Sequence, residues 1–91
     1  MKNNLNEQLI QQAGIGNLKS CAILMLKGAT PCYKDGKAFL AACENGHVEV
    51  VDYILGCFPD AIKCAEDAFP IVIKANHVEV LEALNNARGK K

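Results

Sequence analysis

Two segments of the chain are mostly apolar, and each has a set of positions that break this pattern at helical spacing. In the segments 48–57 and 78–87 these positions fall at i, i+3 and i+7. They are Glu49, Asp52 and Gly56 in the first segment and Glu79, Glu82 and Asn86 in the second. Such spacing draws one narrow polar stripe along an α-helix, and it outweighs the strand preference of the valines. Each helix must then be covered by neighbours on most of its circumference.

A shorter helical segment precedes each of these two helices. In the middle of the chain it is 38–45, which is rich in small residues and ends at Gly46, a residue suited to a left-handed helix end. In the last third it begins at Asp67, a good N-cap, with Pro70 in the first turn. Turn-rich connectors separate the units. The pattern predicts six helices, near 4–13, 18–27, 37–45, 47–57, 67–75 and 77–87.

The chain repeats with a period of thirty residues. Residues 46–51 are Gly-His-Val-Glu-Val-Val, and residues 76–81 are Asn-His-Val-Glu-Val-Leu. A weaker copy, Gly-Asn-Leu-Lys-Ser-Cys, occupies 16–21. Repetition at such a period is typical of stacked helical units. We therefore predict one domain, 1–91, with three units at about 4–30, 34–60 and 64–90.

Composition argues against several classes of partner and location. Ten basic and ten acidic residues leave no net charge, which argues against a nucleic-acid partner. No apolar run is long enough to span a bilayer, and the first ten residues are too polar for a secretory signal. Five cysteines, an odd number without CxxC spacing, favour reduced thiols in a cytoplasmic protein. A zinc site at Cys43 and His47 lacks a second ligand pair of the usual spacing.

The repeats resemble those of the ankyrin family. The resemblance is strongest over 34–55, where Ala-Ala at 41–42, Gly-His at 46–47 and Glu-Val-Val at 49–51 have the family's order and spacing. It implies an all-α, ankyrin-like stack of helical hairpins (an α-solenoid). It also implies a structural role for His47 and His77, whose rings would bond the backbone between neighbouring units.

The chain departs from the family pattern in three ways. Its unit is about three residues shorter than the usual ankyrin repeat, which implies clipped hairpin fingers in the connectors. The family's Thr-Pro is replaced at 37–38 and at 67–68, so these helices are expected to begin differently. Only the middle unit matches cleanly, so both ends of the stack are expected to carry polar outer faces, as terminal repeats require.

These features predict a protein–protein interaction module (an adaptor, inhibitor or host-interaction protein) without catalytic residues, metal or cofactor. The resemblance places the binding surface on the connectors and on the first helix of each unit, with Tyr33 as the preferred anchor. Gln8, Gln11 and Gln12 extend it in the first unit. The predicted partner-binding residues are Tyr33, Lys34, Asp35, Lys37, Glu44, Asn45, Lys63, Glu66, Asp67 and Lys74.

Two other functions stay open. One is a structural homodimer that pairs through apolar repeat ends, and the more remote one is a small metal or thiol enzyme. The cytoplasmic location likewise has an alternative, delivery of the protein into a host cell. The sequence does not identify the partner.

Overall fold

The computed structural model describes residues 4–64, without the side chain of Cys64, and residues 68–89. Within these ranges the chain is all-α and has no strand, which confirms the predicted class. The helices are α1 (Leu5–Ile15), α2 (Leu18–Leu26), α3 (Tyr33–Glu44), α4 (Val48–Cys57), α5 (Ala61–Cys64), α6 (Ala68–Ala75) and α7 (Val78–Gly89). Six of them correspond to the predicted helices. The short α5 was not predicted, because its four residues lie in a connector that is rich in turn-forming residues.

Polar side chains fix where the first two helices begin. The side-chain oxygen of Asn4 accepts hydrogen bonds from the backbone N–H groups of Asn6 and Glu7, which otherwise lack partners at the start of α1. Asn17 caps α2 in the same way by accepting from the N–H of Ser20. Asp67, the N-cap predicted for α6, lies outside the described residues.

The start of α3 is not regular helix. Lys34, Asp35 and Gly36 have φ values of 55°, 60° and 81°, so three consecutive residues are left-handed, and right-handed helix begins at Lys37. This agrees with the predicted start of the helix at residue 37. A left-handed conformation costs a residue with a Cβ atom roughly 1–2 kcal/mol, so this connector stores strain that other contacts must offset.

Six of the seven described helices form three pairs that contact one another in chain order, and the short α5 contacts α3, α4 and α7. The pairs are α1 with α2, α3 with α4, and α6 with α7. Across the pairs, α3 contacts both α1 and α6, and α4 contacts both α2 and α7. The largest fully buried side chains lie between them and include Leu9, Phe39, Val50, Ile54, Val72 and Leu84. One continuous core therefore runs through all three pairs.

Candidate functional site

Two histidines connect neighbouring helix pairs. His47 Nε2 lies 3.0 Å from the carbonyl oxygen of Gly14, and His77 Nε2 lies 3.0 Å from the carbonyl oxygen of Glu44. A carbonyl oxygen only accepts, so each ring donates from a protonated Nε2. Both rings are therefore committed to the backbone of the preceding pair, the structural role that the resemblance implies.

A glycine makes room for each ring. A Cβ atom at Gly16 would lie 2.5 Å from Nδ1 of His47, and one at Gly46 would lie 2.8 Å from Nδ1 of His77. Both glycines also have positive φ, 80° and 74°. Glycine is thus required twice over at these two positions, by backbone conformation and by space.

The outward sides of α1, α3 and α6 form one surface, which we call the first-helix face. On α3 it comprises positions 37, 40, 41 and 44, which share one side of a helix. A Cβ atom at Gly14 would lie 3.7 Å from Cβ of Ala41, so α1 and α3 align in register across this surface. None of its members is fully buried. They are Glu7, Ile10, Gln11, Gly14, Lys37, Leu40, Ala41, Glu44, Pro70, Ile71 and Lys74.

Four of the predicted partner-binding residues lie on or beside the first-helix face. Lys37, Glu44 and Lys74 are exposed members of it. Asn45 lies at its edge, where its side-chain Nδ2 donates to the carbonyl oxygen of Ala41 at 2.8 Å. Gln11 from the first unit is also exposed there, whereas Gln8 and Gln12 are half-buried.

Tyr33 and Lys34 contact the first helix of the chain instead of projecting freely. The hydroxyl of Tyr33 donates to Glu7 Oε2 at 3.2 Å, and Lys34 Nζ forms an ion pair with the same oxygen at 3.0 Å. Lys34 Nζ also lies 5.5 Å from the centroid of the Tyr33 ring. Tyr33 is half-buried and its hydroxyl contacts Glu7, so it packs over the edge of the stack, and its role in partner binding stays a prediction.

Lys34 shifts the pKa of Glu7, and its own pKa is shifted in return. Its hydrogen bond to Glu7 holds the pKa of that carboxyl below its usual value, and the same bond raises the pKa of Lys34.

The backbone N–H of Thr30 donates to the side-chain oxygen of Asn6 at 2.7 Å. The connector before α3 is therefore fastened to α1 at both of its ends, and exposed Asp35 lies at its turn.

Lys63 belongs to a different surface. It lines an open groove of about 1070 Å³ between α4, α5 and α7, together with Asp52 and Arg88. The Arg88 guanidinium lies 4.4 Å from the centroid of the Phe69 ring at the same groove. Lys63 is thus not brought together with the other predicted residues. Glu66 and Asp67, also predicted to bind a partner, lie outside the described residues.

An apolar strip at the centre of the first-helix face was missed at the sequence level. Positions 10, 40 and 70 are Ile, Leu and Pro, and Ile71 lies beside them. Ile10, Leu40 and Ile71 are half-buried and Pro70 is exposed. The signal that could have predicted this strip is an apolar residue every thirty residues, at 10, 40 and 70, on the helix side that also holds charged Lys37 and Glu44.

Two buried thiols have pKa values above the ordinary value of a cysteine. Burial, with a smaller contribution from the charge of Glu44, raises the pKa of the Cys43 thiol to about 12. Burial also raises the pKa of Cys21. Both thiols are therefore protonated, and unreactive as nucleophiles, at neutral pH.

The residues that the structure describes contain neither a metal-binding cluster nor a membrane-spanning helix. In that part of the chain, no three His, Cys, Asp or Glu side chains are grouped so that they could bind a metal ion. Over the same residues, every helix is too short or too polar to cross a bilayer.

Comparison with known proteins adds no relative. Neither the models of protein families, nor the curated proteins, nor the solved structures give a match to this chain.

Proposed function

We propose that the protein is a protein-binding module, built as an ankyrin-like stack of three helix pairs, that recognises its partner with the first-helix face. The pairwise order of the helix contacts and the two histidine bonds to the preceding pair support such a stack. A stack of this kind has an extended surface and no central pocket, which suits recognition of another protein.

The composition of the first-helix face is the observation that carries the proposal. Half-exposed Ile10, Leu40 and Ile71 form its centre, and exposed Lys37 and Glu44 flank it. An apolar centre with a charged rim is the usual anatomy of a protein interface. The partner is expected to place apolar side chains on the centre, and charges opposite to those of Lys37 and Glu44 at the rim.

A binding role also fits the histidines better than catalysis does. A general base must reach a substrate proton through a free ring nitrogen. In His47 and His77 the Nε2 atom is bonded to a backbone carbonyl, and a glycine of the preceding pair packs against the other side of each ring. We therefore assign no catalytic residue and no cofactor.

The proposed location is the cytoplasm, because the thiols of the chain would stay reduced there.

The test is site-specific photocrosslinking in the cells that make the protein. A photoreactive phenylalanine analogue is placed at Gln11, which is exposed on the first-helix face. The matched control has it at Glu49, which is exposed on α4 and does not belong to this face. We expect a discrete crosslinked adduct with one protein from position 11 and none from position 49.

A second variant tests the chemistry of the same face. Leu40→Gln combined with Lys37→Glu should reduce the yield of the adduct at position 11 at least tenfold, while far-UV circular dichroism shows an unchanged helix content. Crosslinking from position 49 alone, or an adduct at position 11 that is unaffected by the double variant, would overturn the assignment of the face.

A further inference from the structure

The two ends of the stack differ at the positions that elsewhere in the chain pack against a neighbouring pair. Some positions of the second and third pairs are buried in both, at 0–1% exposure, and these face the preceding pair. They are Ala38, Ala42 and Val50 in the second pair and Ala68, Val72 and Val80 in the third. The corresponding residues of the first pair, which has no preceding pair among the described residues, are Gln8, Gln12 and Ser20. The α1–α2 end is therefore polar at these three positions, although Ile23, one turn after Ser20, is 45% exposed.

The α6–α7 end is apolar at two positions that are covered by a following pair elsewhere in the described chain, and exposed Asn85 lies one turn after the second of them. The positions that face the following pair are fully buried in the first two pairs, as Ala13 and Cys21 and then as Cys43 and Val51. Their counterparts in the third pair are Ile73, which is 60% exposed, and half-buried Leu81. Val78, beside them, is 56% exposed. We call Ile73, Val78 and Leu81 the terminal face. The last helix does expose polar residues, as expected, namely Glu82, Asn85, Asn86 and Arg88, but the terminal face beside them is apolar.

Large apolar side chains on an unshielded end identify an interaction surface rather than a cap. Where a following pair covers these positions, the residues are small or medium, namely Ala, Cys and Val. On the terminal face they are Ile and Leu, which expose more apolar area to water than the residues they replace. A terminal repeat that was only a cap would be expected to be polar there, as the first pair is.

Head-to-tail stacking does not satisfy this face. The opposite end would bring Gln8, Gln12 and Ser20 against Ile73 and Leu81, leaving polar groups without partners in an apolar contact. That end also has Asn17 where the other pairs have a histidine, so it could not form the histidine bond.

Asn76 adds a steric barrier to any following pair of the same kind. It occupies the position of Gly16 and Gly46, with φ at 62°. A Cβ atom at either glycine would lie within 2.8 Å of the next pair's histidine ring. Asn76 has that Cβ atom, so a following pair with a histidine in the same place would collide with it.

We infer that the terminal face binds a second copy of the chain across a two-fold axis, with Ile73, Val78 and Leu81 of both copies in contact. Like surfaces meet in such an isologous pair, so the polar end and the Asn76 barrier are both avoided. This inference concerns a surface beside the first-helix face: the two share Lys74 at their border, and the apolar centre of the first-helix face stays open in the dimer.

Charge favours one arrangement of the two copies. The turn at Asn76 and His77 joins the end of α6 to the start of α7. With the two-fold axis parallel to the helices, α6 of one copy lies on α7 of the other, and the end of α6 meets the start of α7. Exposed Lys74 near the end of α6 is then brought toward exposed Glu82 in the partner, which gives two symmetric ion pairs.

The experiment is sedimentation velocity of the wild-type chain over a wide concentration range. The weight-average mass should rise from that of one 9.8 kDa chain to twice that value and stop there. Ile73→Lys should weaken the association at least tenfold. Leu26→Lys is the matched control, because Leu26 is 84% exposed on α2, away from the terminal face, and should leave the association unchanged.

Charge exchange tests the arrangement. Lys74→Glu should weaken the dimer, and Lys74→Glu combined with Glu82→Lys should restore it, with circular dichroism confirming that every variant is folded. A wild-type chain that stays monomeric at millimolar concentration would overturn the inference. So would growth beyond two copies, or a dimer that survives Ile73→Lys and is lost in Leu26→Lys. The photocrosslinking at Gln11 is read independently of all these results.

Discussion

Gly16 and Gly46 make the closest contacts between neighbouring helix pairs, each against a histidine ring. The bonds of His47 and His77 to the preceding pair agree with the structural role that the resemblance to ankyrin repeats implied for them. The sequence was not sufficient to predict that Tyr33 bonds to Glu7, since the two residues are far apart in sequence and meet only through the fold.

The glycine contact leads to a prediction for Gly46→Ala. The alanine must adopt a left-handed φ and its Cβ atom must displace the His77 ring, so the free energy of unfolding should fall by about 2–3 kcal/mol. Urea denaturation measures the loss. In the control Gly56→Ala, a helical glycine with nothing within 4 Å, stability should be unchanged or higher by about 0.5 kcal/mol.

A double-mutant cycle isolates the ring contact. Gly46→Ala should cost less in a His77→Ala background, because the ring that it displaces is gone. Equal costs in the two backgrounds would mean that His77 does not pack against Gly46.

Cys43 makes stability depend on alkaline pH. Its pKa is about 12 in the folded protein, whereas an unfolded cysteine titrates near about 8.5. Between these values the unfolded chain loses the thiol proton and the folded chain keeps it, so this contribution is complete below about 8.5 and decreases as pH rises toward 12. We expect the stability advantage of wild type over Cys43→Ala, measured in urea, to shrink from pH 7.5 to pH 10. A constant difference would contradict the assigned pKa.

At the scale of elements, periodicity was a good guide to the helices and a poor one to the connectors. The polar stripe at i, i+3 and i+7 was sufficient to predict α4 and α7. The connector before α3 instead depends on contacts with α1 and on backbone geometry that composition does not specify. Its left-handed residues Lys34 and Asp35 and the short helix α5 were accordingly missed.

The strain in this connector yields a prediction for Asp35→Gly. Glycine relieves roughly 1–2 kcal/mol of left-handed strain in the folded chain. It also increases the conformational entropy of the unfolded chain, which offsets part of this gain, so the free energy of unfolding should rise by about 0.5–1 kcal/mol. The control is Lys37→Gly, at the first right-handed residue of α3 after this turn, where glycine relieves no left-handed strain and only frees the unfolded chain, so stability should fall. Thermal unfolding of both variants gives the signs, and a loss of stability in Asp35→Gly would show that the turn is not left-handed there.

In the whole molecule, the open surfaces follow from three helix pairs that contact one another in chain order. That order leaves one side of α1, α3 and α6 open as the first-helix face and leaves the terminal face uncovered. The all-α class followed from hydrophobic periodicity alone. The grouping of surface residues did not, because it depends on how neighbouring pairs align, as the separation of Lys63 from Lys37 illustrates.

The stacking of the pairs is tested most directly by nuclear Overhauser effects from the two histidine rings in solution. We predict cross-peaks between the His47 ring protons and the α-protons of Gly16, and between those of His77 and Gly46. We also predict that both rings have their proton on Nε2, as read from nitrogen chemical shifts. Absence of both sets of cross-peaks, with rings that exchange freely between tautomers, would contradict the stack and the surfaces derived from it.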